Sequence, residues 1–319
     1  MNKIKELAKK YDLITVLGAT AGGKTSFAAQ LAYVTDREII GADSRQVYRR
    51  MDIGTGKDYE DYTVQGKKIP IHLIDIAEPG YKYNVFEYQT DFTRIYNQLK
   101  ANGKKAIMCG GSGMYLEAIL NAYKLLKVPE NKDLRKRLLN KNLDELSHIL
   151  KFYSETHNTT DTSDIERAIR AIEIAEFYKQ NPENKTGLEN IKTLILGVKF
   201  DRDSRRKRIT ERLKSRLKGG MIEEVKDLLD SGVDKDVLIY YGLEYKFITK
   251  YILDELTYDE MFKNLETAIH QFSKRQMTWF RRMEKNDTKI YWLDGYMSID
   301  EKLRRVEEIM VKNEAFSKK

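Results

Sequence analysis

The chain of 319 residues carries 57 Lys and Arg against 49 Asp and Glu, for a formal net charge of +8, and 41% of its residues are hydrophobic. This length and composition predict a globular protein with a substantial core, whose longest apolar runs fall far short of the roughly 20 residues that a membrane-spanning helix requires. The single cysteine, Cys109, excludes an internal disulfide and a cysteine-based zinc cluster. The positive charge favours a polyanionic partner, although a solvated basic surface would carry the same charge.

The N-terminal segment MNKIKELAKKYD is charged and amphipathic, unlike an apolar signal segment, and predicts a cytoplasmic protein. After it, residues 13–17 (LITVL) form a β-branched run that leads through a glycine-rich turn into a helix-like segment at 24–33. Further strands are predicted at 38–40, 71–76, 105–109, 193–200 and 289–293. Because helical patterns separate most of these strands, the sequence predicts an α/β fold with a doubly wound parallel sheet covered by helices on both faces.

A change in the sequence pattern between residues 121 and 190 predicts an inserted helical domain. Charged helical stretches such as NKDLRKRLLNKNLDELSHILKFY and DIERAIRAIEIAEFYKQ follow one another there without a clear strand. The core is therefore expected in two parts, residues 1–120 and residues 191–319. Within the second part, helices are predicted at 203–231 and 258–284, with a surface helix from residue 299 onward.

Residues 18–25, GATAGGKT, fit the phosphate-binding pattern G-x-x-x-x-G-K-[ST] between a predicted strand and a predicted helix. Glycines let the backbone turn so that its N–H groups point at phosphate oxygens, Lys24 adds a positive charge, and the hydroxyl of Thr25 suits a magnesium ion. A glycine-rich turn with an incidental lysine is the alternative. The pattern is typical of ATP and other nucleotide sites, so we expect a P-loop NTPase-like sheet in which phosphates contact Gly18, Ala19, Thr20, Ala21, Gly22, Gly23, Lys24 and Thr25.

The pattern names a ligand group but not a reaction, because kinases, hydrolases and other transferases all use it. The second predicted strand runs into GADSRQVY at 41–48, which places Asp43 where strand ends reach the crevice of a doubly wound sheet. Asp43 is therefore a candidate catalytic base. Two other roles remain open for it, as an N-cap of a following short helix or as a magnesium ligand.

Several segments together resemble one family: GATAGGKT, ADSRQVYRRMDIGTGK, HLIDI, CGGSGMYLEAIL and SKRQMTWFRR. From about residue 13 to residue 293 the chain resembles the tRNA dimethylallyltransferases, also called tRNA isopentenyltransferases. The resemblance implies transfer of a dimethylallyl group from dimethylallyl diphosphate to N6 of the adenosine just 3′ of the anticodon. The P-loop would then hold diphosphate, with Mg²⁺ as the cofactor, and no nucleotide hydrolysis is required.

The resemblance also implies roles for single residues. Asp43 matches the family's base, which takes the proton of a weakly nucleophilic aromatic amine. Thr20 lies near the bridge of the diphosphate, and Ser112 faces the adenosine or the phosphates. A cation for the diphosphate is expected from residues 205–212, RRKRITER, where we favour Arg212, with Arg208 and Arg205 on the same helix face. A solvated basic face is the alternative for this helix.

Contacts with the tRNA anticodon stem-loop are expected from three places. Residues 274–282, KRQMTWFRR, interleave cations and aromatics, which suits phosphate neutralisation and base stacking, although Trp279 is better explained as a core anchor. Residues beside Asp43 would read or brace the extruded base. In the inserted domain, Arg167 and Arg170 are expected to contact tRNA, and the alternative for both is intrahelical pairing with glutamates. The expected tRNA contacts are Asp43, Ser44, Arg45, Gln46, Ser112, Arg167, Arg170, Lys274, Arg275, Gln276, Thr278 and Arg281.

One segment departs from the family, which commonly has Gly-Tyr followed by a basic residue where residues 241–246 read YGLEYK. Glu244 replaces a cation next to the expected nucleic acid, and Lys246 is its nearest substitute. The alternative enzymes are a small-molecule P-loop kinase and a free-nucleotide adenylate isopentenyltransferase, and a non-catalytic RNA-binding protein is a further class. We expect a monomeric tRNA-modifying enzyme that does not contact membranes.

Overall fold

A computed structural model describes residues 2–153, 164–181 and 191–317. The chain forms two compact units, one of Met1–Ala122 with Glu189–Lys319 and the other of Tyr123–Leu188. None of the helices in the described ranges combines the length and the apolar character needed to cross a bilayer.

The first unit opens with α1 (Asn2–Ala8), β1 (Leu13–Leu17), α2 (Lys24–Thr35), β2 (Arg37–Ala42), a 3₁₀ turn (Tyr59–Tyr62), β3 (Thr63–Val64), β4 (Lys67–Lys68), β5 (Ile71–His72), α3 (Val85–Ala101), β6 (Lys105–Gly110) and α4 (Gly113–Leu120). The second unit contains α5 (Lys132–Leu138), α6 (Leu143–Tyr153) and α7 (Ile165–Gln180). The first unit then resumes with β7 (Thr193–Lys199), α8 (Arg202–Lys218), α9 (Met221–Asp230), α10 (Lys235–Tyr241), α11 (Leu243–Ile252), α12 (Tyr258–Lys285), β8 (Tyr291–Asp294) and α13 (Ile299–Ser317).

The centre of the first unit is a six-stranded sheet in the order β5-β2-β6-β1-β7-β8, and every pairing in it is parallel. The central strand β1 pairs Leu13 with Ala106 of β6 on one side and with Thr193 of β7 on the other. All its residues are buried, as expected for a parallel strand covered on both faces. The predicted doubly wound parallel sheet is confirmed.

One predicted strand is shorter in the structure. The strand predicted at 71–76 ends at His72, because Leu73 and Asp75 have φ values of 60° and 54° that turn the backbone off the sheet. The helix predicted from residue 299 lies on the surface with one face packed inward: Val306 and Met310 of α13 are buried in the main core, together with residues of α1, while its opposite face is exposed.

A second apolar cluster joins α8 to α12 and the segment that follows β2. Ile209, Leu213 and Leu217 form the buried stripe of α8, at the spacing that places them on one helix face. The opposite face of α8 is basic and lies beside the end of β1. The packing of α8 therefore fixes where its arginines stand relative to the glycine-rich turn.

The second unit has its own small core. Leu134, Leu138, Leu146 and Leu150 of α5 and α6 pack against the apolar face of α7. All the described secondary structure of this unit is helical, and residues 154–163 and 182–190 lie outside the described residues.

Candidate active site

The glycine-rich turn joins the end of β1 to the first residue of α2. A side chain on Gly18 would place its Cβ 2.5 Å from the carbonyl oxygen of Val198 in the neighbouring strand, so only glycine allows this approach. Gly23 has a φ of 68°, which lets the chain enter α2 with its first N–H groups unpaired. Ala21 also has a positive φ, 59°, although it is not glycine. Such strain in a loop at a helix N-terminus is typical of a binding site.

Lys24 lies between an acidic group and a basic group at this turn. Its Nζ donates to the carbonyl oxygen of Ala19 at 2.9 Å. Burial lowers the pKa of Lys24, the positive charge of Arg212 lowers it further, and the negative charge of Asp43 opposes both effects. Lys24 and Arg212 line one cleft, and Asp43 follows β2 at the same end of the parallel sheet, so the structure places these three of the expected catalytic groups on one side of it.

Asp43 follows β2, whose last residue pairs with Gly110 at the end of β6. Its Oδ1 accepts from the backbone N–H of Arg45 at 2.9 Å and of Gln46 at 3.4 Å. The capping role is therefore real for one oxygen of the carboxylate. Oδ2 makes no hydrogen bond to the part of the chain that the structure describes, which leaves it available for a proton or a ligand.

Ser112 ties the ends of two adjacent strands together. Its Oγ accepts from the backbone N–H of Ser44 at 2.9 Å, and its own N–H donates to the carbonyl oxygen of Ala42 at 3.2 Å. Ser44 and Ser112 are thus neighbours of Asp43 at the carboxyl ends of two adjacent strands, β2 and β6. The two loops that carry them have a fixed relative position.

Gln276 was expected to contact tRNA, but its amide is turned into the protein. Its Oε1 accepts from the N–H of Thr20 at 2.9 Å, and its Nε2 donates to the carbonyl oxygen of Gly111 at 2.9 Å. The side chain is 6% exposed. A buried amide whose donor and acceptor are both engaged cannot be offered to a nucleic acid without breaking these bonds. Gln276 therefore braces the P-loop from α12 rather than facing tRNA.

Arg45 and Gln46, which follow Ser44, contact different parts of the protein. The guanidinium of Arg45 lies 5.2 Å from the ring centre of Tyr241, a cation–π contact that holds it beside the strand ends. The amide of Gln46 donates to the carbonyl oxygens of Gly56 at 2.9 Å and of Thr55 at 3.2 Å. Gln46 therefore braces a loop of the protein, which differs from its expected role of reading or bracing the extruded base, and its Nε2 is not free to contact a base.

The loop braced by Gln46 is anchored by Glu224, which the sequence analysis did not single out. Its carboxylate accepts from the backbone N–H groups of Asp52 (2.8 Å), Ile53 (2.6 Å) and Gly54 (3.0 Å) and from the hydroxyl of Tyr245 (2.7 Å). In the sequence, only the two glycines of DIGTGK at 52–57 indicated that this loop has an unusual backbone conformation. An acidic side chain from α9 thus determines the shape of a loop at the site.

A cleft of about 1060 Å³ opens between the P-loop and the basic face of α8. Arg212 lines it and pairs with Asp58, and the Nε of Arg208 donates to the carbonyl oxygen of Ala21 at 3.0 Å. Arg205 does not line this cleft. Burial lowers the pKa of Arg205, and the positive charge of Arg281 lowers it further. Arg205 lies on the same face of α8 as Arg212, because seven residues make almost two full turns, but it is displaced by about 10 Å along the axis and so does not reach the cleft.

Thr25 shares the cleft with Asp58 and Asp61. Burial raises the pKa of Asp61, and the negative charge of Asp58 raises it further. Oxygen donors in a crowded acidic setting are the kind that magnesium prefers. No group of three or more His, Cys, Asp or Glu side chains that could hold a metal occurs among residues 2–153, 164–181 and 191–317. A metal here would therefore need oxygens from a bound phosphate group as well.

Comparison with known proteins agrees with this geometry. The sequence model of the IPP transferase family matches residues 46–283, which is most of the chain. The chain belongs to the IPP transferase family. It is 56% identical over 298 residues to tRNA dimethylallyltransferase 2 of Bacteroides fragilis, covering 93% of this chain and 97% of that one. It is 56% identical over 302 residues to tRNA dimethylallyltransferase 1 of Parabacteroides distasonis, covering 95% and 98%.

Solved structures of the IPP transferase family share the fold. The full-length tRNA isopentenylpyrophosphate transferase of Bacillus halodurans superposes with a TM-score of 0.69 at 27% identity, covering 94% of this chain and 95% of that one. A eukaryotic dimethylallyltransferase acting on tRNA superposes with a TM-score of 0.71 at 21% identity, covering 89% and 73%. This second likeness concerns the fold alone.

The helix α12 presents its basic residues to solvent, as the IPP transferase resemblance leads one to expect. Arg282 is an exception, since it pairs with the buried Glu117 at 2.7 Å and lies 4.1 Å from the ring centre of Trp279. A Cβ on Gly113 would lie 2.5 Å from the Trp279 ring, so this tryptophan packs against α4 as predicted. Of the residues of α12 that were expected to contact tRNA, the exposed ones are Lys274, Arg275, Thr278 and Arg281.

In the second unit, Arg170 was expected to contact tRNA, but it is engaged inside the unit. It pairs with the buried Glu173 on the same helix and donates from Nη2 to the carbonyl oxygen of Val128 at 2.8 Å. The intrahelical alternative is therefore the right one for Arg170, because a buried carboxylate needs compensating charge. Arg167 is exposed on the first turn of α7, where its Nε lies 3.3 Å from Asp164.

Glu244, where the IPP transferase family commonly has a cation, was expected beside the nucleic acid. It is instead partly buried and lines a small cavity together with Thr20, Arg212 and Arg216. Burial raises its pKa, and the positive charge of Arg216 opposes that effect. The departure at residue 244 therefore concerns the back of the P-loop and not the tRNA surface.

Proposed function

We propose that this chain is a tRNA dimethylallyltransferase, which joins the dimethylallyl group of dimethylallyl diphosphate to N6 of the adenosine 3′ of the anticodon. The products are N6-isopentenyladenosine and diphosphate. The observations that carry the proposal are the P-loop cleft, which Lys24 and Arg212 both line, and Asp43 at the same end of the parallel sheet, in a chain 56% identical to tRNA dimethylallyltransferases over nearly its full length. An anion site and a carboxylate side by side are what a transfer from a diphosphate to an amine needs.

The P-loop would hold the diphosphate of the donor. The backbone N–H groups of residues 18–25 and the α2 N-terminus favour negative charge, and Lys24 and Arg212 place two cations against the oxygen that leaves carbon 1 of the prenyl group. Thr20 adds a hydroxyl in the same loop. These groups lower the barrier most if they interact more strongly with the released diphosphate than with the bound ester.

We propose magnesium as the metal, because the donors at this place are hard oxygens. Thr25, Asp58 and Asp61 would hold it together with the phosphate oxygens of the donor. When bound, the ion neutralises charge on the diphosphate leaving group.

Asp43 would be the base. As the N6–C1 bond forms and the C1–O bond breaks, the nitrogen acquires positive charge and must lose a proton. Oδ2 of Asp43 has no protein hydrogen bond among the described residues, while Oδ1 is held by the N–H of Arg45 at 2.9 Å. One oxygen thus fixes the orientation of the carboxylate and the other receives the proton.

The tRNA would lie on solvent-exposed cations of each unit. On the first unit these are Lys274, Arg275 and Arg281, with Thr278 between them, and on the second unit Arg167. N6 of the adenosine is accessible only when the base leaves its stack, a cost of a few kcal/mol that phosphate contacts offset. We further propose that the enzyme acts as a monomer in the cytoplasm, with the anticodon stem-loop as the part of tRNA that it recognises.

The test uses purified protein, magnesium, labelled dimethylallyl diphosphate and either unmodified tRNA or AMP, with nucleoside mass spectrometry to locate the label. Label on the anticodon-adjacent adenosine of tRNA is the expected result. Label on AMP alone would show a free-nucleotide transferase instead. ATP turnover with small acceptors and no label on either substrate would show a kinase.

A further inference from the structure

Behind the P-loop, a small cavity of about 20 Å³ is lined by charged groups that the reaction does not use directly. Arg216 and Glu244 face it together with Thr20, Ala21 and Arg212, and the remaining walls are apolar. Nη2 of Arg216 is buried and has no hydrogen-bond partner in the part of the chain that the structure describes. A buried guanidinium nitrogen without a partner is costly, so its presence beside the active loop requires an explanation.

The backbone at Gly56 fixes the two arginines next to each other. A Cβ at this position would lie 1.6 Å from Nη2 of Arg216 and 2.8 Å from Nη2 of Arg212. Both guanidinium groups therefore pack on the same glycine, one helical turn apart on α8. Because two like charges repel at this separation, negative charge is needed nearby: Asp58 pairs with Arg212, and Glu244 lines the same cavity as Arg216.

Charges around the cavity show which groups compensate one another. Burial lowers the pKa of Arg216 to about 10, with Arg212 adding to the decrease and Glu244 opposing it. Burial raises the pKa of Glu244, Arg216 and Arg212 oppose the rise, and Asp43 at the end of β2 adds to it. Each charge is thus disfavoured by its surroundings and favoured by the other member of the pair.

We propose that Arg216 and Glu244 form a charge-compensated pair that positions Arg212 for the diphosphate of the donor. With both members present, the wall behind Thr20 and Ala21 carries no net charge, and Arg212 points into the cleft. Without Arg216, the carboxylate of Glu244 draws Arg212 toward itself and opposes an anion at the P-loop. The inference rests on the proposed function, in which the P-loop and Arg212 bind the diphosphate.

Arg216 and Glu244 are positioning residues in this account, since neither lines the cleft beside the P-loop. Glu244 stands where related sequences commonly carry a cation, so the pair also explains how this chain accommodates that departure: Arg216 supplies the compensating charge. Replacement of both members by neutral side chains should therefore preserve diphosphate binding, whereas replacement of Arg216 alone should not.

A double-mutant cycle tests the pair, with binding of inorganic diphosphate and magnesium to the intact protein measured by calorimetry. The variants are Arg216→Met, Glu244→Gln and the double variant, and Lys214→Met is the control, because Lys214 is an exposed cation on the same helix. At about pH 8 we expect Arg216→Met to weaken binding about tenfold, the double variant to return to within about threefold of wild type, and the control to remain unchanged.

The pH dependence separates electrostatics from packing. Relative to wild type at the same pH, the loss in Arg216→Met should diminish at a second, lower pH, since protonation of Glu244 removes the uncompensated charge. The ratio to wild type cancels the titration of the ligand, and Arg212 and Asp43, the other charged groups that act on Glu244, are present in both proteins. Arg216→Lys, which keeps the charge, should bind within about threefold of wild type and covers the case in which the methionine variant does not fold.

Each outcome has one meaning. A double variant that binds as weakly as Arg216→Met, or a loss that is the same at both pH values, would show that Arg216 acts only by packing and would overturn the inference. If Arg216→Met binds as wild type does, the inference is also overturned, while the proposed function stands. Wild-type protein that fails to bind diphosphate would overturn the proposed function, and the inference with it.

Discussion

The side-chain oxygen of Gln276 accepts the backbone N–H of Thr20 at 2.9 Å, across 256 residues of sequence. The same side chain donates to Gly111, so one amide of α12 joins the P-loop to the loop that carries Ser112. The helix whose outer face is basic thus holds the phosphate-binding turn with its inner face. In the proposed function, donor binding and tRNA binding are therefore served by different sides of one helix.

Gln276→Ala should reduce turnover without weakening tRNA binding. The change leaves the N–H of Thr20 and the carbonyl of Gly111 without partners, at about 1–3 kcal/mol for each buried group, and lets the P-loop relax. We expect kcat to fall about tenfold or more in single-turnover assays, with the tRNA Kd nearly unchanged. A variant with normal kcat and weakened tRNA binding would restore the interpretation of Gln276 as a tRNA contact.

Asp43→Asn should abolish most of the transfer and leave the fold intact. Asparagine still offers an oxygen to the N–H groups of Arg45 and Gln46, but it cannot take the proton from N6. We expect the single-turnover rate to fall by a factor of about 10² to 10⁴, with Tm and tRNA affinity close to wild type. Unchanged turnover would exclude Asp43 as the base.

Glu224→Gln should destabilise the protein and impair donor binding together. The carboxylate holds three backbone N–H groups and the hydroxyl of Tyr245, and an amide has only one oxygen to replace it. We expect a loss of about 2 kcal/mol in the free energy of unfolding and a raised KM for the donor, because the loop that contains Gly56 loses its anchor. Glu223→Gln, at an exposed neighbouring position, is the control and should change neither quantity. Equal behaviour of the two variants would contradict the anchoring role.

Arg275→Ala should weaken tRNA binding and reduce its dependence on salt. Each cation lost from a phosphate contact lowers the slope of log Kd against log salt by about one. Lys263→Ala removes an exposed cation from the same helix twelve residues away, about 18 Å along its axis, and serves as the comparison. A slope unaltered in Arg275→Ala, or altered equally in both variants, would place the tRNA elsewhere.

The second unit should lose stability in acid through Glu173. Burial acts to raise the pKa of this carboxyl, but hydrogen bonds from Arg135, Arg170 and the N–H of Asn131 outweigh it and lower the pKa from 4.5 to about 2. A folded-state pKa below the unfolded one means that the stabilisation is present above about pH 4.5 and is lost as the pH falls toward 2. The shift corresponds to about 3 kcal/mol.

Hydrogen exchange of α7 amides as a function of pH measures this loss, and Glu173→Gln should remove most of the dependence. Glu166→Gln, at an exposed position on the same helix, should leave it as in wild type. An α7 whose protection is as pH-dependent in Glu173→Gln as in wild type would contradict the assignment.

The sequence by itself determined the parallel sheet, the P-loop at the junction of β1 and α2, and the position of Asp43 at a strand end. These features depend on local properties: the periodicity of apolar residues, the spacing of glycines, and the rule that a strand followed by a glycine-rich turn and a helix forms an anion site. The same local reasoning identified the exposed cations of α12, because a helix with one apolar stripe presents its other residues to water.

Only the tertiary structure decided which polar side chains are turned inward and what they touch. Gln276 and Arg170 have the residue types of nucleic-acid contacts, yet Gln276 bonds to Thr20 and Arg170 to Glu173. Glu224 and Arg216 gave no signal in the sequence, and Glu244 was marked only as a departure from the family pattern, since their partners lie on other elements of the fold. A periodic pattern says that a face is buried, but the partner of a buried polar group is set by how separate elements pack, and an unpaired group costs too much for that choice to remain open.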